Sequence, residues 1–373
     1  MTNKTIKIKS GKFTKTIGGK EVFIVAEIGK NFIQTEEERP IAEYLRNAKE
    51  LIDAAAEAGV DAVKFQTHEL EDEIHPNFSF VGPHAPGFDR YAWVRRNMEA
   101  TPIMFWQAVK KHAEKRGLIF FSAPMSRKAA EKLNKVGVPI WKVASGDMLD
   151  YALLDYMFET DKPIIISSGQ VGLAELDEIV GHIRARGIQF ALLYCVSHYP
   201  CPKEFFNLGT IEHFQEKYPE AVIGFSDHSI ENLEIPLAAV KLGAQIIEKH
   251  FSLSRALFGT DHKVSMTPAE MGDLVKAIRA KKFSKVNHKL YYGKKTKELE
   301  GAKNHMRPSF NKALVVARDI PGGTTLTKKM VYAMRPIKLI KGLPSEKFFE
   351  VVGREVKVPL KKHQPITLKV LKK

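Results

Sequence analysis

The sequence predicts a (β/α)8 barrel, the TIM-barrel architecture, followed by a small β-rich domain. Eight short apolar runs alternate with helix-like stretches, and each run ends in a polar or ionisable residue just past its last apolar position. Near-continuous apolar runs separated by helices describe parallel strands buried on both faces, and eight such units close most simply into a barrel, whose chemistry sits at the carboxyl ends of the strands. After the last barrel helix the pattern changes to short β-type pieces punctuated by Gly and Pro, which marks the second domain.

The first run, Val22–Ala26, leads into Glu27. A helical period follows, with Ile41, Leu45, Ala48, Ile52 and Ala55 on one face and Gly59 as a natural C-cap. The second run, Val60–Val63, leads into Lys64 and Gln66. Between His68 and Pro102 the chain is rich in Pro, Gly, His and Phe; too long for an ordinary barrel connection, it reads as a partial lid over the catalytic face. Helices over Ile103–Arg116, Ser126–Val136, Leu173–Arg186 and Ile230–Leu242 each stop at a glycine, and the runs between them are Leu118–Phe121 into Ser122, Ile140–Ala144 into Ser145 and Asp147, Ile164–Ile166 into Ser167, and Phe190–Val196 into Ser197. Val222–Phe225 leads into Ser226-Asp227-His228, and Ile246–Ile247 into Glu248-Lys249-His250. A final helix starts at Pro268, so the expected division is a barrel over 1–283, a linker over 284–311 and a small domain over 312–373.

Bulk properties fit an enzyme without naming it. A chain of 373 residues has room for one barrel and a small extra domain. There is no apolar stretch long enough to cross a membrane and no apolar region near Met1 to Lys9, so a cytoplasmic protein with no membrane partner is expected. Cys195 and Cys201 read as free thiols. Much of the net charge of +15 lies between Lys276 and Lys312. That stretch has no recognisable nucleic-acid module and few aromatics at stacking intervals, so it reads as a solvated linker with no nucleic-acid partner. Surplus cations also draw small anionic substrates towards the molecule.

His228 and His250 end consecutive strands, which lie about 4.8 Å apart in a barrel. Two imidazoles so placed can share a divalent cation. Two ligands plus water and substrate oxygen suit Mn2+, or a similar ion such as Mg2+ or Co2+, better than zinc, which usually takes at least three protein ligands. Lys64 and Lys142 lie inside strands, and a lysine inside a barrel needs an anion. A carboxylate such as Glu27 or Glu248 would satisfy it, and so would a bound phosphate or carboxylate. Hydroxyls at the neighbouring strand ends, Ser145, Ser167, Ser197 and Ser226, favour the bound anion.

Six motifs stand in order along the chain: Val25-Ala26-Glu27-Ile28-Gly29, Val63-Lys64-Phe65-Gln66-Thr67-His68, Lys142-Val143-Ala144-Ser145-Gly146, Ile166-Ser167-Ser168-Gly169, Gly224-Phe225-Ser226-Asp227-His228 and Glu248-Lys249-His250-Phe251. Together they resemble the sialic acid synthase (N-acetylneuraminate synthase) family, and the tail from Ala313 through Val370 is similar to the antifreeze-like (SAF) domain of these enzymes. The resemblance implies condensation of phosphoenolpyruvate with an N-acetylated amino sugar to a nine-carbon 2-keto acid. It assigns Lys64, Lys142, Ser145, Ser167, Ser197 and Ser226 to phosphoenolpyruvate, and His228 and His250 to the metal that polarises the sugar aldehyde. Glu27, Gln66, Tyr199 and Asp261 match positions that contact the sugar or order the reacting groups, and Asp147 stands where some members carry an acid/base glutamate. Arg335 matches an arginine that reaches the sugar in a partner subunit's site, which implies a domain-swapped homodimer.

Three positions depart from the family pattern: Asn31-Phe32-Ile33-Gln34 replaces Asn-His-x-Gly, Asp147 is one methylene shorter than glutamate, and Ala123 stands where a threonine often assists the phosphate. The Gly146-Asp147 pair favours a neuraminate or legionaminate product over pseudaminic acid. A catalytically silent sugar-binding protein on the same scaffold has no need of both histidines and both lysines.

Overall fold

The computed structural model describes residues 4–372 apart from 77, 79–88, 231–232 and 300–305. The chain opens on an antiparallel hairpin of β1 (Ile6–Ser10) and β2 (Phe13–Ile17), which the sequence reading did not anticipate. Eight parallel strands follow: β3 (Phe23–Gly29), β4 (Ala62–Thr67), β5 (Ile119–Pro124), β6 (Trp141–Val143), β7 (Ile164–Ser167), β8 (Phe190–Cys195), β9 (Val222–Asp227) and β10 (Ile246–His250). Their hydrogen-bonded order is β5-β4-β3-β10-β9-β8-β7-β6, and β5 and β6 at its ends lie side by side, which brings the sheet round into a barrel. Most strands run past the apolar stretch that announced them: β4 continues to Thr67 and β10 to His250, so Lys64 and both members of the Glu248/His250 pair are strand residues.

The core divides in two. Inside the barrel, Phe23, Val25, Ala62, Ile119, Phe121, Ile140, Ile165, Ala191, Leu193, Val222 and Ile246 form one apolar cluster, and Ile6, Ile8 and Ile17 of the hairpin complete it. The hairpin therefore plugs the amino-terminal end of the barrel, while the opposite end stays available for chemistry. Between strands and helices lies the larger cluster, where Phe32, Phe65, Phe105, Trp106 and Phe120 pack ring against ring.

Helix α1 (Ile41–Ala58) buries Tyr44, Asn47, Ala48, Leu51, Ile52 and Ala55 and ends at Gly59, whose φ of 84° is left-handed. Ala48, Ile52 and Ala55 of the expected face are buried and Leu45 packs against the core, whereas Ile41 at the first turn is 44% exposed. The segment expected as a lid contains two helices, α2 (Leu70–Glu73) and α3 (Arg90–Ala100), while its stretch 79–88 lies outside the described residues. Helices α4 (Ile103–Lys115) and α5 (Arg127–Val136) match expectation, and Ser126 caps α5 by accepting from the Ala129 N–H. Helix α6 (Tyr151–Phe158) was not foreseen, because it is buried almost all round and shows no polar stripe. Helices α7 (Leu173–Ala185), α8 (Gly209–Lys217, also unforeseen), α9 (Glu234–Lys241) and α10 (Pro268–Arg279) complete the ring.

The basic stretch divides. Lys289, Lys294 and Lys295 are exposed, whereas Lys297 and Lys312 are buried. Its backbone is tied to the barrel, with the Thr210 hydroxyl donating to Thr296 O. Beyond it, β11 (Ala313–Val316) pairs antiparallel with β12 (Val331–Met334), and isolated bridges such as Ile320 to Leu360 and Val356 to Leu371 fold the rest of the small domain around them. This domain docks on the mouth of the barrel, where the Arg335 N–H donates to Glu73 O and the His75 N–H to Arg335 O, both at 2.9 Å.

The hairpin plug makes a measurable claim. Ile8 is 1% exposed, so Ile8→Ala should lower the unfolding free energy by about 2–5 kcal/mol in urea titrations. A loss near zero would mean that the hairpin is not part of the barrel core.

Candidate active site

Alternation along the strands decides which polar residues face inwards. Above the apolar floor, Glu27 follows Val25, Lys64 follows Ala62, Lys142 follows Ile140, Ser167 follows Ile165, Ser226 follows Gly224, and Glu248 and His250 follow Ile246, each by steps of two. They meet as one buried ionic layer. Lys64 Nζ lies 2.8 Å from Glu27 Oε2 and 3.6 Å from Glu248 Oε1, while Lys142 Nζ lies 3.1 Å from the same Glu248 oxygen. The Ser226 hydroxyl donates to that oxygen as well, at 3.0 Å.

Burial alone would raise the Glu248 carboxyl, but Lys142 and Lys64 outweigh it and hold the group down to about 2. Glu27 goes the other way: burial pushes its carboxyl up, with Glu248 adding to the push, and Lys64 only partly offsets it. Burial lowers Lys142, whereas Lys64, between two carboxylates, is raised despite its burial. One carboxylate is thus firmly charged and the other is disposed to hold a proton.

Around this layer the strand ends supply donors. The Ser167 and Ser197 hydroxyls are buried and have no hydrogen-bond partner among the described residues. The Gly169 N–H donates to Ser145 Oγ at 3.1 Å. A Cβ at Gly169 would lie 2.4 Å from Ser197 Oγ and 2.7 Å from Ser145 Oγ, so only glycine leaves these hydroxyls room to converge. Buried donors without acceptors are costly unless something else accepts from them.

His228 and His250 face each other with ring centroids 5.5 Å apart, and Tyr199 packs 4.0 Å from the His228 ring. His228 Nδ1 lies 2.8 Å from Val196 O, an acceptor, which places the proton on Nδ1 and the lone pair on Nε2. Burial lowers His250 to about 4, so its ring is neutral, and its Nδ1 is buried without a partner among the described residues. Two imidazoles, each with a ring nitrogen free of any acceptor, fit a divalent cation. No further His, Cys, Asp or Glu joins them as a metal-ligand group among the described residues.

Beside the imidazole pair, on the strand next to that of His250, Glu27 accepts from Gln66 Nε2 at 2.9 Å. A Cβ at Gly29 would meet Gln66, Glu27 and Asp261 within 3.4 Å, so these three side chains surround one point. Asp147 ion-pairs with Arg335 and, at 2.8 Å, with Lys312 Nζ, which also reaches Asp150 Oδ2 and Met125 O at 2.6 Å. Arg335, which the resemblance assigns to a partner's site, is seated over the barrel of its own chain. The Phe310 ring lies beneath it and presses on Gly146, where a Cβ would come within 2.8 Å of the ring.

Every residue singled out from the sequence therefore lies at the same barrel mouth, in three groups: the ionic layer with the serines, the imidazole pair with Tyr199, and the Glu27/Gln66/Asp261 and Asp147/Arg335 side. Of the departures, Asn31 braces its loop by donating to Phe251 O and Ser265 Oγ, Phe32 joins the outer aromatic core, and Ala123 places a methyl in register beside Gln66. Sequence reasoning named Glu248 only as a counter-ion, carried Gly169 only as part of a motif, and gave Lys312 no role beyond ending the basic stretch. Strict two-residue spacing from Ile246 would have turned Glu248 inwards; the partners of Lys312 lie far away along the chain, and nothing local announces them.

Comparisons with known proteins agree with the fold. Residues 51–289 match the NeuB family model and residues 311–372 the SAF domain model. The human N-acetylneuraminate-9-phosphate synthase is 31% identical over 354 residues, 94% of this chain and 93% of that protein. The crystal structure of the Bacillus subtilis spore coat polysaccharide biosynthesis protein SpsE superposes with a TM-score of 0.76 at 28% identity, covering 99% of both chains. The N-acetylneuraminic acid synthetase of Leptospira borgpetersenii, solved with citrate, gives a TM-score of 0.65 at 31% identity over 77% of this chain and 93% of that one.

The ionic layer predicts an acid-sensitive stability. Because Glu248 is depressed from 4.5 to about 2, its contribution is complete above pH 4.5 and is lost as the pH falls towards 2. At pH 7, Glu248→Gln should cost about 3–5 kcal/mol by urea unfolding, since it leaves the buried Lys142 ammonium without a carboxylate, while Lys64 keeps Glu27. The gap to the parent protein should narrow across that acid window, and a pH-independent gap would contradict the assignment.

Proposed function

Since the chain belongs to the NeuB family, we propose that it is a synthase that condenses phosphoenolpyruvate with an N-acetylated amino sugar, giving a nine-carbon 2-keto acid and inorganic phosphate. The observation that carries this reading is the meeting, at one barrel mouth, of a facing imidazole pair with a cradle of buried, unpartnered hydroxyls over two lysines.

Lys64 and Lys142 neutralise the carboxylate and phosphate of phosphoenolpyruvate, and Ser145, Ser167 and Ser197 donate to its oxygens from the rim. Ser226 and Glu248 hold the lysines in place from below. His228 and His250 would hold a divalent ion, Mn2+ being the best match to a pair of imidazole ligands; bound there, it would supply Lewis acidity at the acceptor aldehyde. As C3 of phosphoenolpyruvate forms its bond to the aldehyde carbon, the aldehyde oxygen takes up a proton, and Glu27, whose raised carboxyl can carry one, is placed to give it. Water adds at C2 and gives up both of its protons, one restoring Glu27 and one leaving with the phosphate as the C2–O bond to phosphate breaks, which leaves the 2-keto acid. Gln66, Tyr199, Asp261 and Arg335 orient the sugar, while Asp147, shared between Arg335 and Lys312, fixes the guanidinium. A cytoplasmic homodimer belongs to the same reading: exchange of small domains between two chains would form the Arg335 to Asp147 contact across the pair.

Incubation with phosphoenolpyruvate, Mn2+ and N-acetylmannosamine, its 6-phosphate or a diacetylated hexosamine should release phosphate and 2-keto acid in equal amounts. Absence of product with every acceptor would refute the reading. His228→Ala and His250→Ala should each lower turnover by about 10²–10³-fold with circular dichroism unchanged, and undiminished activity would remove the imidazole pair from the mechanism.

A further inference from the structure

The buried pair of Lys249 and Asp227 takes no part in the chemistry above. Lys249 stands between Glu248 and His250 on β10, and because those two face into the barrel its side chain leaves by the outer face, in register with Asp227 of β9. Its ammonium directs all three donors to one place: to Asp227 Oδ2 at 2.7 Å, to Ser229 Oγ at 3.0 Å and to Ser229 O. Asp227 closes the same loop from the other side, since its Oδ1 accepts from the Ser229 N–H and its Oδ2 from the Ser229 hydroxyl, both at 2.8 Å. All three residues are buried. Lys249 and Asp227 point away from the mouth, so the group meets no substrate.

The place of this cluster gives it a role. The backbone pairing of β9 with β10 sets Phe225 beside Ile247, Ser226 beside Glu248 and Asp227 beside Lys249, and it ends there among the described residues. His228 and His250 each come one residue later, so the ladder stops just short of fixing one imidazole against the other. The Lys249 side chain bridges that gap, because it grips the residues on both sides of His228 while standing next to His250 in the chain. The backbone contacts of the two histidines lead elsewhere: the Cys201 N–H donates to His228 O at 3.0 Å, and the Met266 N–H donates to His250 O at 2.8 Å. The His228 ring, in turn, is tied through Nδ1 to Val196 O. The clamp is what joins the segment of one imidazole directly to that of the other.

We infer that Lys249 is a positioning residue for the divalent ion: its ammonium, clamped on Asp227 and Ser229, sets the spacing and aim of the His228 and His250 rings. The inference rests on the reading of that pair as the metal ligands and goes beyond it, since it names what holds the pair in place. A buried ion pair contributes little net stability compared with apolar side chains of the same volume, and holding one arrangement against its alternatives is the use such pairs serve best. Arrangement is critical here. With two imidazoles as the protein ligands, the ion's other positions fall to water and substrate, so an error in the separation of the rings has no third imidazole, thiolate or carboxylate among the described residues to correct it.

The test titrates Mn2+ calorimetrically into the metal-stripped parent protein, His250→Ala, Lys249→Met and the double variant Lys249→Met/Asp227→Asn, and follows the urea unfolding of each. His250→Ala should lose the Mn2+ binding of the parent, which locates the ion at the imidazole pair. Lys249→Met strands the buried Asp227 carboxylate and should unfold at lower urea, whereas the double variant carries neither charge and should regain most of that loss. Mn2+ should nevertheless bind the double variant about 10–100-fold more weakly than the parent, because stability follows the balance of charge and the ligand geometry follows the clamp. A double variant that recovers parental affinity together with stability overturns the inference and leaves the imidazole pair as the ligand site. Mn2+ binding in the parent that His250→Ala does not change overturns the inference and the ligand assignment together.

Discussion

Two ammonium groups and two carboxylates sealed inside a parallel barrel are the constraint around which the rest of this structure is arranged. Isolated charges at that depth would cost several kcal/mol each, so Lys64, Lys142, Glu27 and Glu248 are tolerable only together. Glu248 is the hub, since both lysines and the Ser226 hydroxyl share one of its oxygens. A layer built this way is stable but exchangeable. An incoming anion can take over part of the lysines' charge, and Glu27, already disposed to protonation, is the carboxylate that yields most readily.

Everything around the layer serves to leave one end of it accessible. The hairpin fills the barrel from below with Ile6, Ile8 and Ile17, so the polar layer faces the mouth alone. Above, the small domain is anchored through Lys312, which spends its three donors on Asp147, Asp150 and Met125 O. That anchor fixes Arg335 over the mouth, and Phe310 on Gly146 sets how closely the domain can approach. Geometry at the reacting centre therefore depends on packing between two domains as well as on the strands, a division of labour that lets the mouth change specificity without altering the ionic layer.

Much of the fold was legible because a buried parallel strand leaves a simple trace: an apolar run, then a polar residue at its carboxyl end. Helices with one apolar face and a terminal glycine, such as α1 with Gly59, were equally plain. What stayed hidden follows physical lines. Helix α6 is apolar on nearly every side, so periodicity had nothing to detect. The hairpin alternates buried and exposed residues over only five positions per strand, and its partner is the barrel floor rather than a sequence neighbour. Within the site, His228, His250 and the serines announced themselves by ending strands. Lys312 did not, because its role arises from contacts with Asp147 and Asp150 across long stretches of chain.

The most direct measurement is a calorimetric titration of phosphoenolpyruvate, in the presence of Mn2+, into the parent protein and into Lys142→Met. If the ionic layer is the floor of the anion cradle, the parent should bind one phosphoenolpyruvate per chain, and the variant should bind at least about tenfold more weakly while its circular dichroism is unchanged. Equal affinity in the two proteins would contradict the account, since the buried lysines would then be part of the scaffold and no part of the site.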